Sequence, residues 1–149
     1  MTLDALKNSR AFQQLLEELR SGRTRIDISG INAAAKPYFL AFLVHKLNKT
    51  TVFIRPAGSS DEFVRECRFF LNAFSSPVHI NTLPAMTDDP YQEIPPSMDA
   101  VSSRMRFFYD WVIGGRRLVL TSLPGLLKPV PALDYLSDFF LELDAGTAV

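Results

Sequence analysis

Apolar and polar residues follow two different spacings along the chain, and stretches with one spacing alternate with stretches of the other. Long stretches with an apolar residue every three to four positions predict helices, whereas short β-branched and apolar runs predict strands. Helices are predicted over residues 3–20, 37–48, 59–74 and 99–113, and strands over residues 25–29, 50–55, 78–81 and 117–121. Because strands alternate with helices, we expect an α/β fold with a parallel sheet between two layers of helices.

The pattern changes after the last of these strands. Residues 122–127 predict a short helix, residues 128–133 (KPVPAL) an extended linker, and residues 138–143 (DFFLEL) a further strand. We therefore divide the chain into an N-terminal helix (1–22), an α/β domain (23–128) and a linker with the start of a truncated second domain (129–149). On this division we expect the chain to be a fragment of a longer protein.

The turn between the first predicted strand and the next helix partly matches the phosphate-loop pattern G-x-x-x-x-G-K-[ST]. Gly30 takes the place of the first glycine and Lys36 that of the lysine, but Ala35 and Pro37 depart from the pattern. Ala35 places a Cβ where the backbone would have to approach a phosphate, and Pro37 supplies neither a hydroxyl nor an N–H. We interpret the loop as degenerate and expect it to bind no nucleotide, although an ordinary strand–turn–helix explains it equally well.

Composition and charge exclude several classes of protein. The chain is 47% apolar, and its 16 basic residues balance 16 acidic ones. This is a globular composition without the overall positive charge that holds nucleic acid nonspecifically. A single cysteine rules out an internal disulfide framework, and we find neither a membrane-spanning apolar run nor a signal peptide. We therefore expect a cytoplasmic protein that does not bind membranes.

The residues with metal-binding or nucleophilic chemistry are scattered. Cys67 lies on the apolar stripe of a predicted helix, which favours a core position, and His45 has no second ligand at metal-binding spacing. The longest irregular stretch, residues 83–98, contains four prolines. Three acidic side chains in it could hold Mg²⁺ but are more typical of a solvated loop: Asp88, Asp89 and Glu93. We expect no metal site and no catalytic residue.

The helix predicted over residues 99–113 has more large side chains than one buried face can use. Arg104, Phe107, Tyr109 and Trp111 lie beside its apolar stripe. Arginine among aromatic residues is typical of interface hot spots. We therefore predict that these four residues form an interface with a segment outside this chain.

Three sequence features together resemble one protein family. They are the degenerate loop 30–37, the segment 83–106 (LPAMTDDPYQEIPPSMDAVSSRMR) and the strand with its turn at 117–127 (RLVLTSLPGLL). Over residues 25–146 the chain is similar to the N-terminal UvrB-like region of bacterial transcription-repair coupling factors (Mfd). It differs from UvrB itself, which has an intact phosphate loop and a tyrosine-rich DNA-gripping hairpin. In this chain the stretch that corresponds to the hairpin, residues 78–99, has one aromatic residue, Tyr91.

The resemblance implies a fold like UvrB domain 1a and a role in nucleotide excision repair. The parent would be an ATP-dependent DNA translocase, a helicase-like hydrolase that displaces stalled RNA polymerase and recruits UvrA. In this family ATP and Mg²⁺ bind to a motor far C-terminal to the residues present here. UvrA binds to the domain after the linker, so no UvrA contact can be assigned to this chain. The chain itself would be a non-catalytic scaffold or adaptor without a cofactor.

Two other functions remain open at this stage. One is a nucleotide-binding domain with an atypical phosphate loop. The sequence of strand 117–121 speaks against it, because this apolar strand is followed by Ser122 and not by the acidic residue of a Walker B motif. The other is a free-standing Rossmann-like ligand domain. It lacks the G-x-G-x-x-G pattern, and its second strand ends in Arg55 instead of an acidic residue.

Overall fold

A three-stranded sheet forms the centre of the computed structural model, which describes residues 8–56, 61–86 and 97–138. Its strands are β1 (Thr51–Arg55), β2 (His79–Leu83) and β3 (Arg117–Ser122). They are all parallel in the order β1-β3-β2, so that Val52 and Asn81 both lie beside Val119 of the central strand. This sheet with its connecting helices confirms the predicted α/β class and the strands predicted at these three places.

Six helices accompany the sheet in the described residues. They are α1 (Arg10–Arg20), α2 (Lys36–Leu47), α3 (Asp61–Ala73), α4 (Met98–Ile113), α5 (Leu123–Leu127) and α6 (Leu133–Ser137). The first five were predicted. The predicted starts of the first helix at residue 3 and of the third helix at residue 59 lie outside the described residues. None of the helices in the described ranges is long and apolar enough to cross a membrane.

The two faces of the sheet pack against different helices. On the first face Leu118 and Leu120 of β3 are fully buried against apolar side chains of α2 and α3, and α1 packs in turn on α2. On the second face Val119 of β3 packs with Phe107 and Phe108 of α4 and with Leu136 of α6. Alternate residues of one strand therefore serve both cores, which explains why Leu118, Val119 and Leu120 are apolar in succession.

The first predicted strand, residues 25–29, is not formed. Residues 25–32 have no regular structure, and Arg25 instead pairs with Asp27 at 3.6 Å between two exposed side chains. Alternating apolar residues produce a strand only where a neighbouring strand offers its backbone, and no strand of the described sheet lies beside this segment. The degenerate loop therefore does not follow a sheet strand.

The end of the chain also departs from the sequence-based prediction. Residues 128–132 have no regular structure, as predicted for a linker, but the short helix α6 follows them directly. Leu136 of α6 is buried in the second-face core. Asp138 lies in a turn, and the rest of the strand predicted over residues 138–143 lies outside the described residues.

Candidate functional site

Gly30 has a backbone conformation that favours glycine. Its φ is 80°, in the left-handed region, and a Cβ built on it would meet no atom within 4 Å. The glycine therefore serves the turn and makes no close approach to another part of the protein. Close backbone approach to a ligand is the property for which phosphate loops use glycine.

The backbone amides at the start of α2 are already engaged. The N–H of Ala35 donates to the side-chain oxygen of Asn32 at 2.8 Å, and the N–H of Lys36 donates to the carbonyl oxygen of Ala33. Pro37 has no N–H and is buried, while Lys36 itself is exposed. A phosphate loop needs several free amides directed at one point together with its lysine. The amides of Ala35 and Lys36, which flank the lysine position of the pattern, are therefore not free for a phosphate.

Arg104 lies in the interior of the protein. Only 5% of its surface is exposed, and its guanidinium stacks over the ring of Phe108 at 5.4 Å. It donates hydrogen bonds to four backbone carbonyl oxygens, those of Pro84 (3.1 Å), Gly125 (3.3 Å), Lys128 (3.4 Å) and Pro129 (3.3 Å). Arg104 thus joins three parts of the chain at the carboxyl end of the sheet: the segment after β2, the helix α5, and the segment after α5.

The other three predicted interface residues differ in exposure. Phe107 is buried, Tyr109 is half-buried, and Trp111 stacks on Phe107 at 5.7 Å between ring centres with 37% of its surface exposed. Trp111 borders an apolar cavity of about 220 Å³. Val52 of β1 lines the same cavity and is half exposed. Of the four residues, Trp111 is therefore the best placed to contact another molecule.

A polar network at the other end of the sheet was missed by the sequence analysis. Asn81 donates to the carboxylate of Asp110 at 2.8 Å and accepts from Arg117 at 3.0 Å, and Arg117 also donates to the carbonyl oxygen of Gly114. Asn81 and Arg117 are both buried. Arg117 at the start of an apolar strand was the available signal, because a buried charge needs partners from elsewhere in the fold. The network fixes α4 to β2 and β3.

Cys67 takes the core position that was predicted for it, and His45 lies at the edge of the apolar packing. Cys67 is completely buried on the first face of the sheet, and burial together with the charge of Glu66 raises the pKa of its thiol to about 12. His45 lies half-buried against Phe74, and burial lowers the pKa of its imidazole, helped by the charges of Lys46 and Arg116. Within the described ranges no three metal-ligating side chains come together.

We expect Cys67 to resist alkylation as long as the chain is folded. A thiol with a pKa of about 12 has roughly a thousandfold less thiolate at pH 8 than an ordinary cysteine. Iodoacetamide labelling followed by mass spectrometry should therefore be at least about a hundredfold slower than in chain unfolded by urea. Equal rates in the two states would show that Cys67 is accessible in the folded protein.

Comparison with protein-family models found no match, and comparisons with curated proteins and with solved structures found none either.

Proposed function

We propose that this chain is a non-catalytic scaffold domain of a transcription-repair coupling factor. The absence of nucleotide chemistry is supported by the backbone N–H groups at the start of α2, which already donate hydrogen bonds within the chain. The N–H groups of Ala35 and Lys36 donate within the chain, and Pro37 has none. A nucleotide phosphate would have to displace the hydrogen bond by which Asn32 caps the short 3₁₀ turn Ala33–Ala35 before α2.

The scaffold part is supported by the apolar surface on the second face of the sheet. Val52 and Ile54 of β1 are about half exposed, and Trp111 borders the same region. Contiguous apolar surface of this kind marks contacts with other protein parts. A domain that serves other domains by packing against them needs such a surface and needs no chemistry of its own.

The connection with DNA repair is supported by the sequence features alone. The segments 30–37, 83–106 and 117–127 resemble the UvrB-like region of coupling factors. On this proposal the parent uses ATP and Mg²⁺ to move along DNA, displaces stalled RNA polymerase in the cytoplasm, and recruits UvrA through a different domain.

We expect calorimetric titration of the chain with Mg·ATP at millimolar concentration to show no binding. Wild-type chain and the variants Lys36→Ala and Lys49→Ala should behave alike, because the amides that would hold a phosphate are engaged. Lys49 is the matched control, since it is exposed just beyond the other end of α2. Saturable binding that only Lys36→Ala abolishes would favour the nucleotide-binding alternative and overturn the non-catalytic role.

The repair role is tested by strand-specific repair of ultraviolet lesions in the organism that encodes this protein. Deletion of the gene should slow repair of transcribed strands to the rate of non-transcribed strands, and a Lys36→Ala copy should restore the difference. Unchanged repair of the transcribed strand after deletion would refute the coupling-factor role, whatever the calorimetry shows.

A further inference from the structure

A groove runs along the outer edge of β2, between α3 and α4. Three adjoining cavities of about 400, 370 and 380 Å³ follow the strand from its amino end to its carboxyl end. Arg68 of α3 lines all three. The first and second cavities also share Asn81 and Asp110, and the second and third share Thr82 and Ser103. The cavities therefore form one continuous groove as long as the strand.

The floor of this groove is an open strand edge. Among the described strands, β2 pairs only with β3. The N–H of His79 donates to the carbonyl oxygen of Arg116 at 3.1 Å, and the carbonyl oxygen of Leu83 accepts from the Thr121 hydroxyl at 3.0 Å. The backbone groups of His79 and Leu83 therefore point towards β3. Because successive residues of a strand direct their backbone groups to opposite sides, the N–H and C=O groups of Ile80 and Thr82 point to the open edge.

The walls of the groove are positively charged. Arg65 and Arg68 project from α3 and Arg106 from α4, and all three are exposed. The ion pairs within the described part of the chain are formed by Arg23 and Arg25, so these three arginines have no carboxylate partner there. Two carboxylates also line the cavities, those of Asp61 and of Asp110, and Asp110 accepts a hydrogen bond from Asn81. Within the described residues the groove thus combines an open row of backbone donors and acceptors with more guanidinium groups than carboxylates.

We propose that the groove binds an extended acidic peptide, which joins the sheet as a strand beside β2 and places its carboxylates on Arg68 and Arg106. Strand addition supplies partners for both kinds of backbone group at the edge, and the arginines select acidic side chains. A nucleic acid would satisfy the arginines, but its phosphates have no donor for the carbonyl oxygens of Ile80 and Thr82. The peptide is therefore the better match.

The probe is a fluorescein-labelled peptide of about nine residues with the repeat Glu-Glu-Thr, which presents glutamates on both faces of a strand. Fluorescence anisotropy should show saturable binding in the micromolar range at low salt, weakening as salt is added. A copy of the peptide with every backbone amide N-methylated has the same charges but has no N–H to donate from either edge of the strand. It should bind at least about tenfold more weakly.

Substitutions separate the charges from the strand edge. Arg68→Glu and Arg106→Glu should each weaken binding about tenfold, whereas Arg10→Glu on α1, outside the groove, should change it less than about twofold. Thr82→Pro removes one amide from the open edge, where proline is tolerated, and should weaken binding about fivefold or more. Thr82→Ala is the matched control and should bind like wild type.

Three results would overturn the proposal. They are equal binding of the N-methylated peptide, full binding by the Thr82→Pro variant, and absence of peptide binding at millimolar concentration. A single-stranded oligonucleotide could instead displace the peptide, bind more tightly than the peptide does, and bind equally well to the Thr82→Pro variant. That result would also overturn the proposal and would identify the groove as a phosphate-binding surface. Thermal unfolding of each variant confirms that the groove is intact when its binding is measured.

Discussion

Replacing Arg104 with leucine should lower the free energy of unfolding by about 3 kcal/mol, the largest effect we expect from a single substitution. Leucine removes the donors for the carbonyl oxygens of Pro84, Gly125, Lys128 and Pro129. A buried carbonyl left without a partner costs about 1–3 kcal/mol, reduced where water can reach it. Urea denaturation followed by circular dichroism measures the difference.

Two further variants define the cause. Arg106→Leu changes the same residue type two positions along the helix but on its exposed side, and should alter stability by less than about 0.5 kcal/mol. Arg104→Lys retains the charge but has one nitrogen in place of a planar fork, so it should recover less than half of the loss. A loss below about 1 kcal/mol for Arg104→Leu would mean that the four carbonyls find other partners.

Gly125→Ala should destabilise the chain by about 2 kcal/mol. A Cβ at this position would lie 2.7 Å from the Thr121 hydroxyl and 3.2 Å from the carbonyl oxygen of Leu83. These two atoms are hydrogen-bonded to each other in the interior, at 3.0 Å. The added methyl group therefore pushes α5 away from the sheet, and this cost exceeds the gain in helix propensity from glycine to alanine, about 1 kcal/mol.

A double-mutant cycle with Thr121 tests this cause. Thr121→Ala removes the nearest atom, so Gly125→Ala should cost about half as much in that background. Thr121→Val keeps a methyl group at the position of the hydroxyl and should give no relief. Equal costs of Gly125→Ala in all three backgrounds would place the strain elsewhere, and no cost at all would show that the Thr121 side chain can rotate away.

The positions of most helices and strands could be predicted because burial imposes a period on the sequence. The stripe of α4 was nevertheless placed incorrectly in part. Arg104 and Phe107 were predicted to lie beside this stripe, whereas both are buried, and the apolar Met105 of the same helix is 42% exposed. An arginine enters a buried stripe only when carbonyl oxygens from distant segments converge on it. Sequence spacing contains no information about such long-range partners, although the position of Arg104 one turn before Phe108 was a usable sign.

The two errors in regular structure have a common physical origin. Residues 25–29 alternate like a strand but have no strand beside them in the described sheet, and the helix α6 that follows the linker was not predicted. In both places the outcome depends on what the rest of the fold offers. The groove along β2 was not predicted for the same reason. Its arginines come from two helices that are far apart in sequence, and only the fold brings them to one strand edge.

The strand order β1-β3-β2 has a consequence for synthesis of the protein. Among the described strands the central one is the last to be translated, and the two strands made before it are not neighbours in the sheet. No pair of these strands can therefore form until Arg117–Ser122 has left the ribosome. Until then the apolar faces of α2 and α3 lack the central strand that they cover, which exposes apolar surface of the nascent chain to aggregation.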